Sequence, residues 1–183
     1  MKDFEWQLPL RDRFLVPWYK TICERFDLLD GKEHIPDQFK GIDTVLYNIL
    51  GVPTTVEEKI VRWPHDRKTM PDGTIVRTML DFPHYRFSLE EPWMRSGASK
   101  LLIYCFADHV EHEQVTTLDT YMIDFPALKD WFWADDARRL SYKTFRGDNG
   151  CVGRLVNISH VCSAMWTMRY QLPIGGAHVH QSL

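Results

Sequence analysis

Residues 35–62 read IPDQFKGIDTVLYNILGVPTTVEEKIVR, two short strand-like segments joined by a turn around Gly51-Val52-Pro53. The second segment sets Glu57, Glu58 and Lys59 between the apolar Val56 and Ile60. Charges placed there cost several kcal/mol if they are buried and unpaired, so the run needs a reason. Side chains two apart on a strand share a face, which points Glu57 and Lys59 one way and Glu58 the other. The turn brings the first segment alongside, with Asp43 near its start. Two carboxylates converging from adjacent strands suit a hard divalent cation, Mg2+ or Mn2+, which takes oxygen ligands. A lysine beside them steadies a water or a phosphate oxygen. Asp43 and Glu57 are the expected ligands, with Lys59 adjacent.

Gly41-Ile42-Asp43 followed by Val56-Glu57-Glu58-Lys59-Ile60 resembles the PD-(D/E)xK nuclease superfamily in its restriction-like and phage-encoded forms. The run Arg86–Glu90, then Trp93 and the apolar Leu101–Phe106, is similar to the strand that follows in those proteins, so the resemblance spans Phe14 to Trp131. It implies an α/β fold, a restriction-endonuclease-like mixed β-sheet flanked by helices. It also implies hydrolysis of phosphodiester bonds in DNA: Asp43 and Glu57 bind the cation, and Lys59 orients the attacking water and stabilises charge in the transition state. Glu90 is a further ligand and Glu58 a second catalytic or orienting carboxylate. Two alternatives stay open. Pro36-Asp37 supplies a literal Pro-Asp that competes with Asp43, although Ile42, Val45 and Leu46 embed Asp43 in a strand. A local bulge would exchange Glu58 for Glu57.

The length of 183 residues suits one domain with a core, 1–183, with residues 1–10 as an extended arm and 174–183 as a loose tail. The apolar runs are too short for a bilayer, and the start MKDFEWQLPLRDRF is charged throughout rather than leader-like. Cys23, Cys105, Cys151 and Cys162 form no CxxC pair, which points to a reducing, cytoplasmic setting. The net charge of −3 argues mildly against a nucleic-acid binder, but a local cluster is enough. Arg62, Arg67, Lys68 and Arg77 flank the second strand. Arg138, Arg139, Lys143 and Arg146 interleave with Tyr142 and Phe145, as backbone contact and base stacking require. Arg62, Arg138, Arg139 and Lys143 are therefore the expected DNA contacts; a solvated helix end is the plainer account of the second group.

Phe14, Leu15, Trp18, Ile22 and Phe26 recur at helical spacing and predict a helix over 11–29, starting or kinking at Pro17. Glu24 falls on it, either as a first-helix acid beside the metal or on a solvated face. Strands are expected at 42–49, from Glu57 to about Trp63, at 84–90, 101–107 and 116–124. Asp72-Gly73 predicts a turn between the Val61 region and 74–80, and His109–Gln114 a hairpin. Helices are expected at 126–133 and 135–140. Residues 143–154, with three glycines, read as irregular; 154–159 as a strand; 165–172 as a last strand or helix. His109-Val110-Glu111-His112-Glu113 lacks the HExxH spacing of a zinc helix, and His178-Val179-His180 reads as tail or subunit contact. Trp131 and Trp133 cannot both face inward on one helix, which leaves one as a contact for a partner or for a homodimer. A rival reading from another class is a non-catalytic binding or assembly protein, phage-derived, that keeps a nuclease-like fold without using it.

Overall fold

Residues 101–107 are nearly all apolar, and the strand they form is buried on both sides from Leu102 to Ala107. Leu102, Tyr104 and Phe106 enter one apolar cluster; Ile103, Cys105 and Ala107 enter another. The chain thus builds a layer on each face of a central sheet. The computed structural model describes residues 3–29, 42–62, 65–79, 86–107, 115–147, 150–173 and 178–179.

In chain order the strands are β1 (Arg25–Leu28), β2 (Thr44–Tyr47), β3 (Pro53–Arg62), β4 (His65–Thr69), β5 (Ile75–Met79), β6 (Arg86–Glu90), β7 (Leu101–Ala107), β8 (Thr117–Asp124), β9 (Lys143–Arg146), β10 (Val152–Asn157), β11 (Thr167–Pro173) and β12 (His178–Val179). The helices are α1 (Asp3–Leu10), α2 (Val16–Ile22), α3 (Glu91–Ser96), α4 (Phe125–Trp133), α5 (Asp136–Ser141) and α6 (Ile158–Ala164), with a π-helical turn at Arg11–Leu15 between α1 and α2. Seven strands make the main sheet in the order β1-β2-β3-β7-β8-β11-β12; β3 and β7 run parallel and the other neighbours antiparallel. The protein is mixed α/β, with a mixed sheet. A second sheet, β6-β10-β9, packs with α3, α4 and α6 on one face of the first. The N-terminal helical segment covers the other through Leu10, Phe14, Leu15, Trp18 and Tyr19. No helix among the described residues is long and apolar enough to cross a membrane.

The N-terminal arm is helical rather than extended, because Leu10 continues the buried stripe of Phe14 and Leu15. Pro17 stands in the first turn of α2, as one of the two expectations had it, although the chain is already helical before it. It lacks an N–H, and the preceding residues adopt the wider π register, Val16 N–H donating to the Arg11 carbonyl. The predicted helix stops at Ile22; Phe26 keeps its core contact from β1, so the apolar spacing continued across a change of structure. Within the stretch expected to be irregular, residues 143–146 and 152–154 are strand. Gly150, at φ 79°, makes a turn between β9 and β10. Gly153 lies in β10 beneath the Phe145 ring, where a Cβ would come within 2.4 Å of two ring carbons. The expected strand at 154–159 gives way to α6 at Ile158, whose Ile158 and Val161 are buried. The turn at Asp72-Gly73 joins β4 and β5 rather than the Val61 region. Residues 178–179 pair with Tyr170 and Gln171 inside the expected loose tail. Asp37 and His109–Gln114 lie outside the described residues.

Candidate active site

β2 and β3 form a hairpin whose ladder runs only from Tyr47↔Pro53 to Thr44↔Val56. At Asp43 the first strand leaves the ladder while β3 continues to Arg62 beside β7. Asp43 sits in this fork. Its backbone N–H donates to the Val56 carbonyl at 2.8 Å, and its Oδ2 accepts the Glu58 backbone N–H at 2.7 Å. A short side chain therefore ends one strand and occupies the edge of the next.

Beyond the fork, alternation along β3 separates the three charges. Val56 and Ile60 pack into the cluster under the N-terminal helices, and Glu58 shares their face. Its Oε1 accepts the Tyr19 hydroxyl at 2.7 Å and the Thr44 hydroxyl at 2.5 Å; its Oε2 lies 3.9 Å from Arg11 Nε. Burial raises the Glu58 pKa to about 7, against the two hydroxyls and Arg11. Glu58 is thus fastened within the fold on the side away from Lys59.

Glu57 and Lys59 share the opposite face. Lys59 Nζ donates to the Ser88 carbonyl and to Glu90 Oε1, both at 3.2 Å, and lies 5.3 Å from the centre of the Trp93 ring. Glu57 has no comparable set of partners: its Oε2 is buried and accepts no hydrogen bond. Burial raises its pKa to about 8, the neighbouring Asp43 carboxylate adds to the shift, and Lys59 and the Trp93 indole pull the other way. A cavity of about 210 Å3 at the fork is lined by Gln7, Leu8, Arg11, Asp43, Glu57, Glu58 and Ile60.

The structure therefore brings Asp43 and Glu57 to one cavity and keeps Lys59 on the Glu57 face. Among the described residues no group of three or more His, Cys, Asp or Glu side chains is arranged to hold a metal ion; Asp43 and Glu57 supply two oxygen donors. An unsatisfied buried carboxylate oxygen beside a second carboxylate fits a hard cation, which would remove both the desolvation cost and the repulsion. Glu90 is placed as the partner of Lys59. Glu24 is remote from this site: it follows α2, donates its N–H to the Tyr47 carbonyl, and lines a separate depression with Arg25, Asn48 and Gly51 at the hairpin tip.

The expected DNA-contact residues are dispersed. Arg62 ends β3, five residues beyond Glu57 or roughly 17 Å along the strand. Arg138 donates to the Trp131 carbonyl and stacks over the Trp131 ring. Arg139 binds Glu91 at 3.0 Å and Asp136 at 2.7 Å, and stacks over Trp133. Neither tryptophan is an exposed contact: both are half-buried under arginines, with Arg95 also over Trp133. Lys143, exposed on β9, lies across β10 from Ser88. Arg11 and Trp93 were not legible as site residues. An arginine in a helical segment reads as solvent-facing, and nothing in the spacing ties Trp93 to Lys59.

No protein-family model, no curated protein and no solved structure matches this chain.

Proposed function

We propose that the protein is a metal-dependent nuclease of the PD-(D/E)xK type, with a restriction-endonuclease-like sheet, that hydrolyses phosphodiester bonds in DNA. The observation that carries this reading is the buried Glu57 Oε2, which accepts no hydrogen bond, on a residue that lines one cavity with Asp43. Asp43 and Glu57 would hold Mg2+ or Mn2+, which when bound lowers the pKa of water and offsets charge on phosphate. Lys59 acts from the Glu57 face, donating hydrogen bonds to the attacking water and to the oxygen on which charge grows. Glu90, the Ser88 carbonyl and the Trp93 ring fix the ammonium so that little reorganisation accompanies the reaction. Glu58 and Tyr19 hold the fork itself.

The reading is tested by cleavage of plasmid, linear and single-stranded DNA with and without Mg2+ or Mn2+, repeated with Asp43→Ala and Lys59→Ala. Cation-dependent cleavage lost in both variants is the expected result. Cleavage that survives both substitutions, or none on any of the substrates, overturns it.

A second reading, a non-catalytic binding or assembly protein, is favoured by one observation: Arg138 and Arg139 engage partners within the fold. A protein of that kind binds no Mn2+ in a manner that depends on Asp43 and Glu57.

A further inference from the structure

Gly153 makes room for an aromatic ring on the outer face of the second sheet. Phe145, Gly153 and Glu90 stand side by side across β9, β10 and β6, and Lys143, Leu155 and Ser88 form the next row on the same face. Phe87, Leu89 and Val156 alternate to the other face and enter the apolar cluster against the main sheet. Phe145 and Leu155 are half-buried and pack into neither cluster of the described residues. The Phe145 ring instead reaches over Gly153, where a Cβ would come within 2.4 Å of two of its carbons.

Packing against Gly153 is the plain account of the ring. It does not account for what stands around it. Lys143 is exposed on the same face, roughly 7 Å along β9 from Phe145. Arg86, also exposed, opens β6 on that face and is braced by Asn157 Oδ1 at 3.2 Å. Glu90, the acid in these rows, is paired with Lys59 at 3.2 Å. The face therefore offers a ring between two cations. It also adjoins the candidate active site, since Glu90 Oε1 and the Ser88 carbonyl both take Lys59 Nζ.

We infer that this face is a binding shelf for single-stranded DNA: the Phe145 ring stacks an unpaired base, and Lys143 and Arg86 meet the phosphates that flank it. Every base has a π-face, so such stacking is tolerant of sequence. A base inside a duplex already stacks on its neighbours above and below, whereas an unpaired base has a face to offer. The inference rests on the nuclease reading and deepens it, naming single-stranded DNA as the form of substrate led past Glu90 to Lys59.

The test is fluorescence anisotropy of a labelled oligothymidylate and of a blunt duplex, titrated with the full-length protein in chelator, for the wild type, Phe145→Leu, Phe145→Tyr and Lys143→Gln; thermal melts check that each variant is folded. The expected result is tighter binding of the single strand than of the duplex by the wild type. Phe145→Leu should weaken single-strand binding by about fivefold or more, the order of one lost base stack, and Phe145→Tyr, which keeps an aromatic ring, should bind like wild type. Lys143→Gln, at an exposed position, should lower the salt slope of single-strand binding by about 0.7, one phosphate contact. Single-strand affinity unchanged in folded Phe145→Leu, a salt slope unchanged in Lys143→Gln, or no preference of the wild type for the single strand overturns the inference and leaves Phe145 as packing for Gly153. Single-strand binding that depends on Phe145, with no cation-dependent cleavage of any DNA, overturns the nuclease reading alone and leaves a single-strand-binding face.

Discussion

Asp43 Oδ2 accepts the backbone N–H of Glu58 at 2.7 Å, so the aspartate that ends the β2 ladder also serves as the next partner for β3. This bond holds the Asp43 carboxyl at the fork, beside the cavity that Asp43 and Glu57 both line. Asp43→Asn keeps an acceptor for that N–H and removes the charge. The Glu57 pKa then falls from about 8 but stays above 4.5, because burial, the larger cause, is untouched. Carboxyl-detected NMR titration measures it. A Glu57 pKa unmoved by Asp43→Asn contradicts the convergence of the two groups.

Stability of the cation-free protein depends on pH in an unusual direction. The Glu57 pKa is raised from 4.5 to about 8 and that of Glu58 from 4.5 to about 7. Both are raised, so the folded chain keeps protons that the unfolded chain has released. Their stabilisation is complete below about pH 4.5 and is lost as pH rises through about 7 and 8. Urea denaturation of the protein in chelator should give a lower midpoint at pH 9 than at pH 6, about one unit beyond the raised pKa values on either side. Glu57→Gln flattens that slope. A midpoint that rises between the two pH values contradicts the buried, protonated Glu57.

Glu90→Gln separates a lysine-positioning role from cation binding. The Lys59–Glu90 pair is partly exposed, with side-chain accessibilities of 21% and 26%, so its loss changes stability by about 1 kcal/mol or less. With Lys59 left to the Ser88 carbonyl and the Trp93 ring and without its charged partner, turnover on DNA should fall by about tenfold or more, as for a misplaced donor, with KM and Mn2+ affinity nearly unchanged. A matching fall in Mn2+ affinity makes Glu90 a ligand instead.

Gly153→Ala tests the packing of the small sheet. The added methyl comes within 2.4 Å of two Phe145 ring carbons and 2.9 Å of the Leu89 carbonyl oxygen. Unfolding free energy should drop by about 1–3 kcal/mol, the usual cost of overpacking. Phe145→Leu in the same chain should recover part of it. No loss on Gly153→Ala means that the ring is free to move aside.

The sequence made the fork legible and its surroundings opaque, for physical reasons. Charges between Val56 and Ile60 cannot be ignored on an otherwise apolar strand, and period-two alternation assigns Glu57 and Lys59 to one face, as the structure places them. The unbroken apolar run 101–107 announces a strand covered twice. Alternation alone could not say which glutamate is fastened: the Tyr19 and Thr44 hydroxyls that hold Glu58 come from 39 and 14 residues away. Helical spacing from Phe14 to Phe26 hid the change to β1, since both conformations bring Phe26 to the same cluster. Glycines at 147, 150 and 153 suggested a loop, while one of them is a strand residue kept small for an aromatic ring. Arg11 escaped notice because only tertiary packing buries it.

The most direct test of the central claim is Mn2+ binding, followed by the loss of the free-ion EPR signal, in wild type, Asp43→Ala and Glu57→Gln. The account predicts a saturable site in the wild type and, in each variant, a loss of about 1.4 kcal/mol or more, a tenfold or greater fall in affinity. Equal Mn2+ binding by all three folded proteins, or none by the wild type, would contradict it.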